Sequence, residues 1–231
     1  MRRPEFWDRR GGTNSHVFFI STSKRIINAE FGESRGSQQS YSMNLQDLKP
    51  LIDYAIEDCQ RIIRNNPKAV LSEGDFERIL SSCIAKRIGY FAEVPNPNDF
   101  AIYTQISHYT NETKELDARV DILLAKPADI KPDSSHYKDF VIYNSAETVA
   151  IELKYRHDKN AACVTAAKED IKKIVKYKDD SYYYSIILLE QNNRTKEFED
   201  EIKEYYKTKK VEMGKEYENK FFCRVLTKAA Q

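Results

Sequence analysis

Thr148-Val149-Ala150-Ile151-Glu152-Leu153-Lys154 reads as an apolar β-strand broken by a carboxylate and an ammonium two residues apart. Side chains alternate along a strand, so Glu152 and Lys154 share a face. Burying either charge alone is costly, and a sheet accepts such a pair where the charges meet each other or a metal ion. Upstream, Val120-Asp121-Ile122-Leu123-Leu124 repeats the pattern, with a carboxylate inside an apolar strand. Two carboxylates suit a hard divalent cation, Mg²⁺ or Mn²⁺, bound through oxygens. Asp121 and Glu152 are the expected ligands. The backbone carbonyl of Leu153, between the two charges of its strand, can add a third. A cation so held polarises a scissile phosphate and lowers the pKa of bound water. A lysine beside it, Lys154, positions that water and offsets charge in the transition state. The chemistry that wants this set is phosphodiester hydrolysis.

Outward from this strand the chain alternates between helix and strand patterns. Residues 45–64 carry Leu48, Leu51, Ile52, Ala55, Ile56, Cys59, Ile62 and Ile63 at helical spacing, with Pro50 near the start, where proline costs least. A second helix starts at Ser72, an N-cap followed three residues on by Asp75, and stops at Gly89. Strands are expected over residues 90–94, 100–108, 119–124, 141–143 and 148–154, with residues 126–138 as a long loop. A helix over 161–177, a strand over 182–189, a charged helix over 195–207 and a last strand over 221–226 complete the order. This order predicts an α/β fold with a mixed central β-sheet flanked by helices. Residues 1–44 hold four of the seven glycines and little regular pattern, so they read as an irregular arm ahead of a domain over 45–231.

Composition sets outer bounds. A chain of 231 residues with 41% hydrophobic and 32% charged residues folds as a globular protein. No apolar run approaches the roughly 20 residues of a membrane span. The N-terminal stretch Met1-Arg2-Arg3-Pro4-Glu5-Phe6-Trp7 lacks the apolar region of a secretory signal, and a cytoplasmic location is expected. Cys59, Cys83, Cys163 and Cys223 are scattered and form no CxxC pair, which argues for buried free thiols over a zinc site. The net charge of +1 neither supports nor excludes a polyanionic substrate, because a basic cleft can oppose an acidic face.

Asp121 followed by Glu152-Leu153-Lys154 at the end of an apolar strand resembles the PD-(D/E)xK nuclease superfamily, which shares the fold of type II restriction endonucleases and Holliday-junction resolvases. The likeness covers about residues 70–190. It implies a restriction endonuclease-like fold, a Mg²⁺-dependent nuclease activity and a helix that brings a glutamate to the site. In Leu71-Ser72-Glu73-Gly74-Asp75-Phe76-Glu77, both Glu73 and Glu77 qualify, one turn apart on one face. Glu73 is similar to the helix opening of many small members and is slightly favoured; Glu77 is similar to the resolvases. Two departures stand: Val120 replaces the motif's proline, and the 31 residues from Asp121 to Glu152 imply an insertion at 126–147.

The resemblance implies DNA, ahead of RNA, as the substrate. It also implies endonuclease action, defence against foreign DNA as one setting, and a homodimer or a larger complex as the assembly. An alternative keeps the fold without catalysis, as a module that binds nucleic acid or a protein partner. Tyr182, Tyr183 and Tyr184 suit base stacking or, more simply, a core strand. Lys168, Asp170, Lys172 and Lys173 suit a cleft border or a solvated helix face. Tyr155, Arg156, His157 and Lys159 suit phosphate contacts or an ordinary loop.

Overall fold

The computed structural model describes residues 43–89, 98–109, 116–132, 140–142, 147–157, 160–175, 181–190, 194–214 and 220–228. The expected arm over 1–44, apart from its last two residues, and the expected strand over 90–94 lie outside the described residues.

Helix α1 (Leu45–Asn65) opens with a capping box: the Asn44 side chain accepts from the Asp47 amide, and the Asp47 carboxylate accepts from the Asn44 amide. Helix α2 (Glu73–Ile88) opens the same way with Ser72 and Asp75. It closes on Gly89, whose φ of 70° is a left-handed conformation that glycine adopts without a Cβ penalty. Asp58 of α1 is buried and accepts from Arg87 Nε of α2 at 2.7 Å, which ties the two helices together.

Five strands form the central sheet in the order β1-β2-β5-β6-β7: β1 (Ala101–Tyr109), β2 (Leu116–Ala125), β5 (Thr148–Tyr155), β6 (Ser181–Leu189) and β7 (Phe221–Thr227). The pairs β1/β2 and β2/β5 are antiparallel, whereas β5/β6 and β6/β7 are parallel. The parallel pairs are joined by crossover helices α3 (Asn160–Ile174) and α4 (Thr195–Glu212). The expected α/β architecture, a mixed sheet flanked by helices, is what the structure shows.

Each face of the sheet has its own apolar layer. Ile122, Leu124, Val149, Ile151 and Leu153 pack with α1 and α2, whereas Leu123, Ala125, Ala150 and Ile187 pack with α3 and α4. Tyr183 and Tyr184 are buried in these two layers, so that pair of the three tyrosines is core. All four cysteines are free and buried, as expected.

Several boundaries differ from the sequence reading: β2 starts at Leu116 where 119 was expected, and α4 runs to Glu212, past the expected 207. Helix α3 ends at Ile174, before the expected residue 177. The loop expected over 126–138 contains a short 3-10 turn and strand β3 (Ile130–Pro132), which pairs with β4 (Phe140–Ile142) as a separate two-stranded sheet. Its prolines sit at the start of the turn and at a strand end, where they remove no needed ladder bond. That is why proline content was a poor guide to a structureless loop.

Candidate active site

The ladder between β2 and β5 runs from Ala125↔Thr148 to Ile122↔Ile151 and stops there. The next pair in register would be Asp121 and Glu152. On the other side, β5 continues its pairing with β6 to Tyr155↔Leu188. The last residues of β5 are therefore held on one edge only.

Carboxylates take the peptide groups that β2 no longer reaches. Asp121 Oδ2 accepts from the Leu153 amide at 2.7 Å. Glu73 Oε2 accepts from the Tyr155 amide at 3.1 Å. In an extended strand a residue's N–H and C=O point to the same edge. The Leu153 carbonyl is thus directed into the same gap as its amide, towards Asp121.

Glu152 and Lys154 share the sheet face that Ala150 buries against α3 and α4, as alternation requires. Glu152 is only 5% exposed. Lys154 Nζ lies 4.0 Å from Glu152 Oε2 and 2.7 Å from Asp170 Oδ2, so the half-buried ammonium sits between a neighbour on its own strand and a carboxylate on α3. Asp170 is itself buried and also meets the more exposed Lys173 at 3.1 Å. Lys168 pairs with Glu201 and Lys172 with Glu169, so the α3 lysines face their own helical neighbours and α4.

On the other helical layer, both candidate glutamates of α2 reach the gap by different routes. Glu73 does so through the Tyr155 amide. Glu77 Oε2 accepts from Gln105 Nε2 at 2.8 Å, and the same nitrogen lies 3.2 Å from Asp121 Oδ1. Gln105 carries a φ of 55°, and no other described non-glycine residue has a positive φ. That conformation costs a glutamine about 1 kcal/mol or more.

The electrostatics are those of carboxylates crowded out of water. Burial pushes the Glu152 carboxyl up to about 9, reinforced by Asp121 and Asp170 and opposed by Lys154. Burial also raises Glu73, where Lys154 and the Tyr155 amide pull the other way, and raises Glu77, where Asp121 adds to the effect and Gln105 opposes it. Burial alone would lower Lys154, but Asp170 first, then Asp121 and Glu152, outweigh it and hold the ammonium above its ordinary pKa. These neighbours favour the charged form of the Lys154 side chain.

Among the described residues, no three or more His, Cys, Asp and Glu side chains are grouped as a metal site. The donor set still fits a hard cation. Asp121 stands within hydrogen-bonding reach of Glu152, and burial first, then the neighbouring carboxylates, keeps the Glu152 carboxyl protonated well above the usual carboxylate range. Mg²⁺ is commonly held by one or two carboxylates, with water and substrate oxygens completing its shell. Asp121, Glu152 and the Leu153 carbonyl are a set of that kind.

Sequence reasoning missed Gln105 and undervalued Asp170. Nothing around Gln105 marks it, since a glutamine in Tyr103-Thr104-Gln105-Ile106 alternates as strand residues do. Asp170 did leave a signal: it falls on the stripe Cys163, Ala167, Asp170, Ile174 of α3, whose other members are buried. Lys228, just beyond β7, was also unforeseen. It is buried and donates to the Val70 carbonyl at 2.7 Å, the Tyr155 hydroxyl at 2.8 Å and Glu190 at 3.0 Å, closing the C-terminal ends of the parallel strands. His157 meets Glu190 at 2.9 Å in the same cluster.

No protein-family model matches the chain, and no curated protein matches it. Two solved structures resemble it. The cAAA-bound form of NucC from E. coli MS115-1 is 12% identical, with a TM-score of 0.37 over 67% of this chain and 65% of that one. The cAAA-bound form of NucC from P. aeruginosa ATCC27853 is 14% identical, with a TM-score of 0.37 over 65% of this chain and 64% of that one. The chain thus spans slightly less than two thirds of each. At this TM-score neither likeness carries an argument. The site rests on its own geometry.

Proposed function

We propose that this protein is a Mg²⁺-dependent nuclease that hydrolyses phosphodiester bonds, acting as an endonuclease on DNA, in the setting of defence against foreign DNA. The observation that supports this reading best is the opening between β2 and β5. It directs Asp121, Glu152, the Leu153 carbonyl and a helix glutamate into one gap with the half-buried Lys154 ammonium beside it. The PD-(D/E)xK resemblance of the sequence supports the same assignment.

Asp121, Glu152 and the Leu153 carbonyl would hold the cation. When bound, it supplies Lewis acidity to the scissile phosphate and acidifies water. The protein's own residues do the rest. Lys154, kept charged and oriented by Asp170, presents its ammonium where negative charge grows in the transition state. Glu73 keeps the far end of the gap open by holding the Tyr155 amide away from any strand partner. Burial of the site lowers the local dielectric and strengthens each of these interactions. A second copy of the chain is the natural source of a second cut in duplex DNA, and α1 leaves Tyr54 and Ile62 exposed for such a contact.

The test is incubation of the purified chain with supercoiled plasmid in Mg²⁺, Mn²⁺ or EDTA. Nicking or linearisation that needs the metal and is lost in Asp121→Asn and Lys154→Ala is expected. Metal-dependent cleavage that persists at the wild-type rate in Lys154→Ala would overturn the site. Calorimetry that finds no Mn²⁺ binding dependent on Asp121 would favour the non-catalytic binding module instead.

A further inference from the structure

We propose that Gln105 is a positioning residue that binds Glu77 to Asp121, making Glu77 the helix carboxylate that joins the cation site. The inference rests on the nuclease reading above and deepens it. Three separate features of β1 lead to it.

The first is register. The β1/β2 ladder passes from Thr104↔Ile122 to Ile106↔Val120, leaving Gln105 directly across from Asp121. The interruption falls opposite the residue at which β2 also parts from β5. The second is the backbone. A φ of 55° inside a strand is unfavourable for glutamine, and such conformations persist only where surrounding contacts enforce them. The third is the side chain. One amide nitrogen serves both Glu77 Oε2 and Asp121 Oδ1, at 2.8 and 3.2 Å. An extended φ would aim the side chain elsewhere, so the strained backbone and the two contacts are one arrangement.

The physical consequence concerns two like charges. Glu77 and Asp121 repel each other, and this repulsion helps to raise the pKa of Glu77. A neutral amide with two N–H donors holds them close without neutralising either. A divalent cation arriving at Asp121 then meets a second carboxylate already in place. Glu73 is engaged differently: its carboxylate accepts from the Tyr155 amide, so it serves the strand end. Four residues separate the two glutamates, and each turn of α2 has its own task.

Gln105→Asn separates this role from a merely structural one. Asparagine tolerates positive φ better than glutamine does. Its side chain is one methylene shorter and cannot span both carboxylates. Gln105→Gly removes the side chain and the strain together. The full-length chain and both variants are titrated with Mn²⁺ by calorimetry, and their thermal unfolding is followed without metal. Removing a residue that orients metal ligands weakens metal affinity about 10–100-fold. The expected result is a loss of at least about 10-fold in Mn²⁺ affinity in both variants, with a Tm equal to or above wild type. Glu77→Gln is expected to lower affinity similarly, and adding Gln105→Asn to it should have little further effect. Wild-type Mn²⁺ affinity in Gln105→Asn would overturn the inference while leaving the nuclease reading intact. A variant that loses affinity only in step with a lowered Tm would likewise assign Gln105 to the fold. A wild-type chain that binds no Mn²⁺ would overturn both.

Discussion

Replacing Glu152 with glutamine should stabilise the protein and abolish its activity, and the stability gain should grow with pH. The carboxyl titrates at an ordinary 4.5 in the unfolded chain and at about 9 in the fold. The folded state therefore binds the proton more tightly, and unfolding releases it. Stability falls with rising pH wherever the folded state holds more protons, so this group erodes stability across the window from 4.5 to about 9. At about 1.4 kcal/mol per pH unit, the deficit reaches about 3 kcal/mol at pH 7 and levels off near 6 kcal/mol above pH 9. The amide that replaces the carboxyl does not titrate, and it keeps the shape and donor capacity of the protonated acid. The assay is urea unfolding in EDTA at pH 5, 6, 7 and 8, with free energies extrapolated to water. The difference between Glu152→Gln and wild type should widen by about 1.4 kcal/mol per pH unit. Because the Asp121 carboxylate helps to raise the Glu152 pKa, Asp121→Asn should narrow the pH window over which stability falls. Mg²⁺ added at pH 8 should restore stability to the wild type and not to Glu152→Gln. A stability difference independent of pH would refute the reasoning, since it would mean that Glu152 ionises normally and is not desolvated by its neighbours.

The remaining predictions follow the same geometry. Mn²⁺ binding at pH 7.5 should expel close to one proton, because the cation replaces the proton that Glu152 holds; calorimetry in two buffers of different ionisation enthalpy reads this, and Glu152→Gln should show no buffer dependence. Asp170→Asn should let the Lys154 pKa fall, since the Asp170 carboxylate helps to hold it above the ordinary value; the basic limb of the pH–activity profile then moves to lower pH. Ser72→Ala removes the capping box of α2 and should cost about 1 kcal/mol, seen as a lower urea midpoint with unchanged m.

What the sequence reveals here depends on the range over which each feature is encoded. The Ser72/Asp75 cap and the Gly89 stop lie within four residues of what they control, and both are where the pattern places them. Glu152 and Lys154 share a face because alternation along one strand is local. The gap between β2 and β5 is of another kind. It arises from a ladder that ends at Ile122↔Ile151, a pairing between residues 29 positions apart, and no property of either strand alone announces where it stops. Between the two strands, β4 was legible as the strand expected over 141–143, whereas its partner β3 was not. Ambiguity over the helix glutamate has the same origin. Spacing puts Glu73 and Glu77 on one face, and both do reach the gap, so periodicity had no means of separating them. They differ only in what meets them there, the Tyr155 amide for one and the Gln105 amide for the other. Gln105 could not be found from the chain because its peculiarity is a backbone angle, set by the strand opposite. Asp170 could have been found, since a carboxylate on a buried helical stripe breaks the same rule that exposed Asp121 and Glu152. A charged residue at an apolar position is thus the sequence's best pointer to this site, and it works wherever burial can be inferred from periodicity. Residues that act through conformation or through a distant partner give no such signal, and in this protein those are the residues that join one carboxylate to the next.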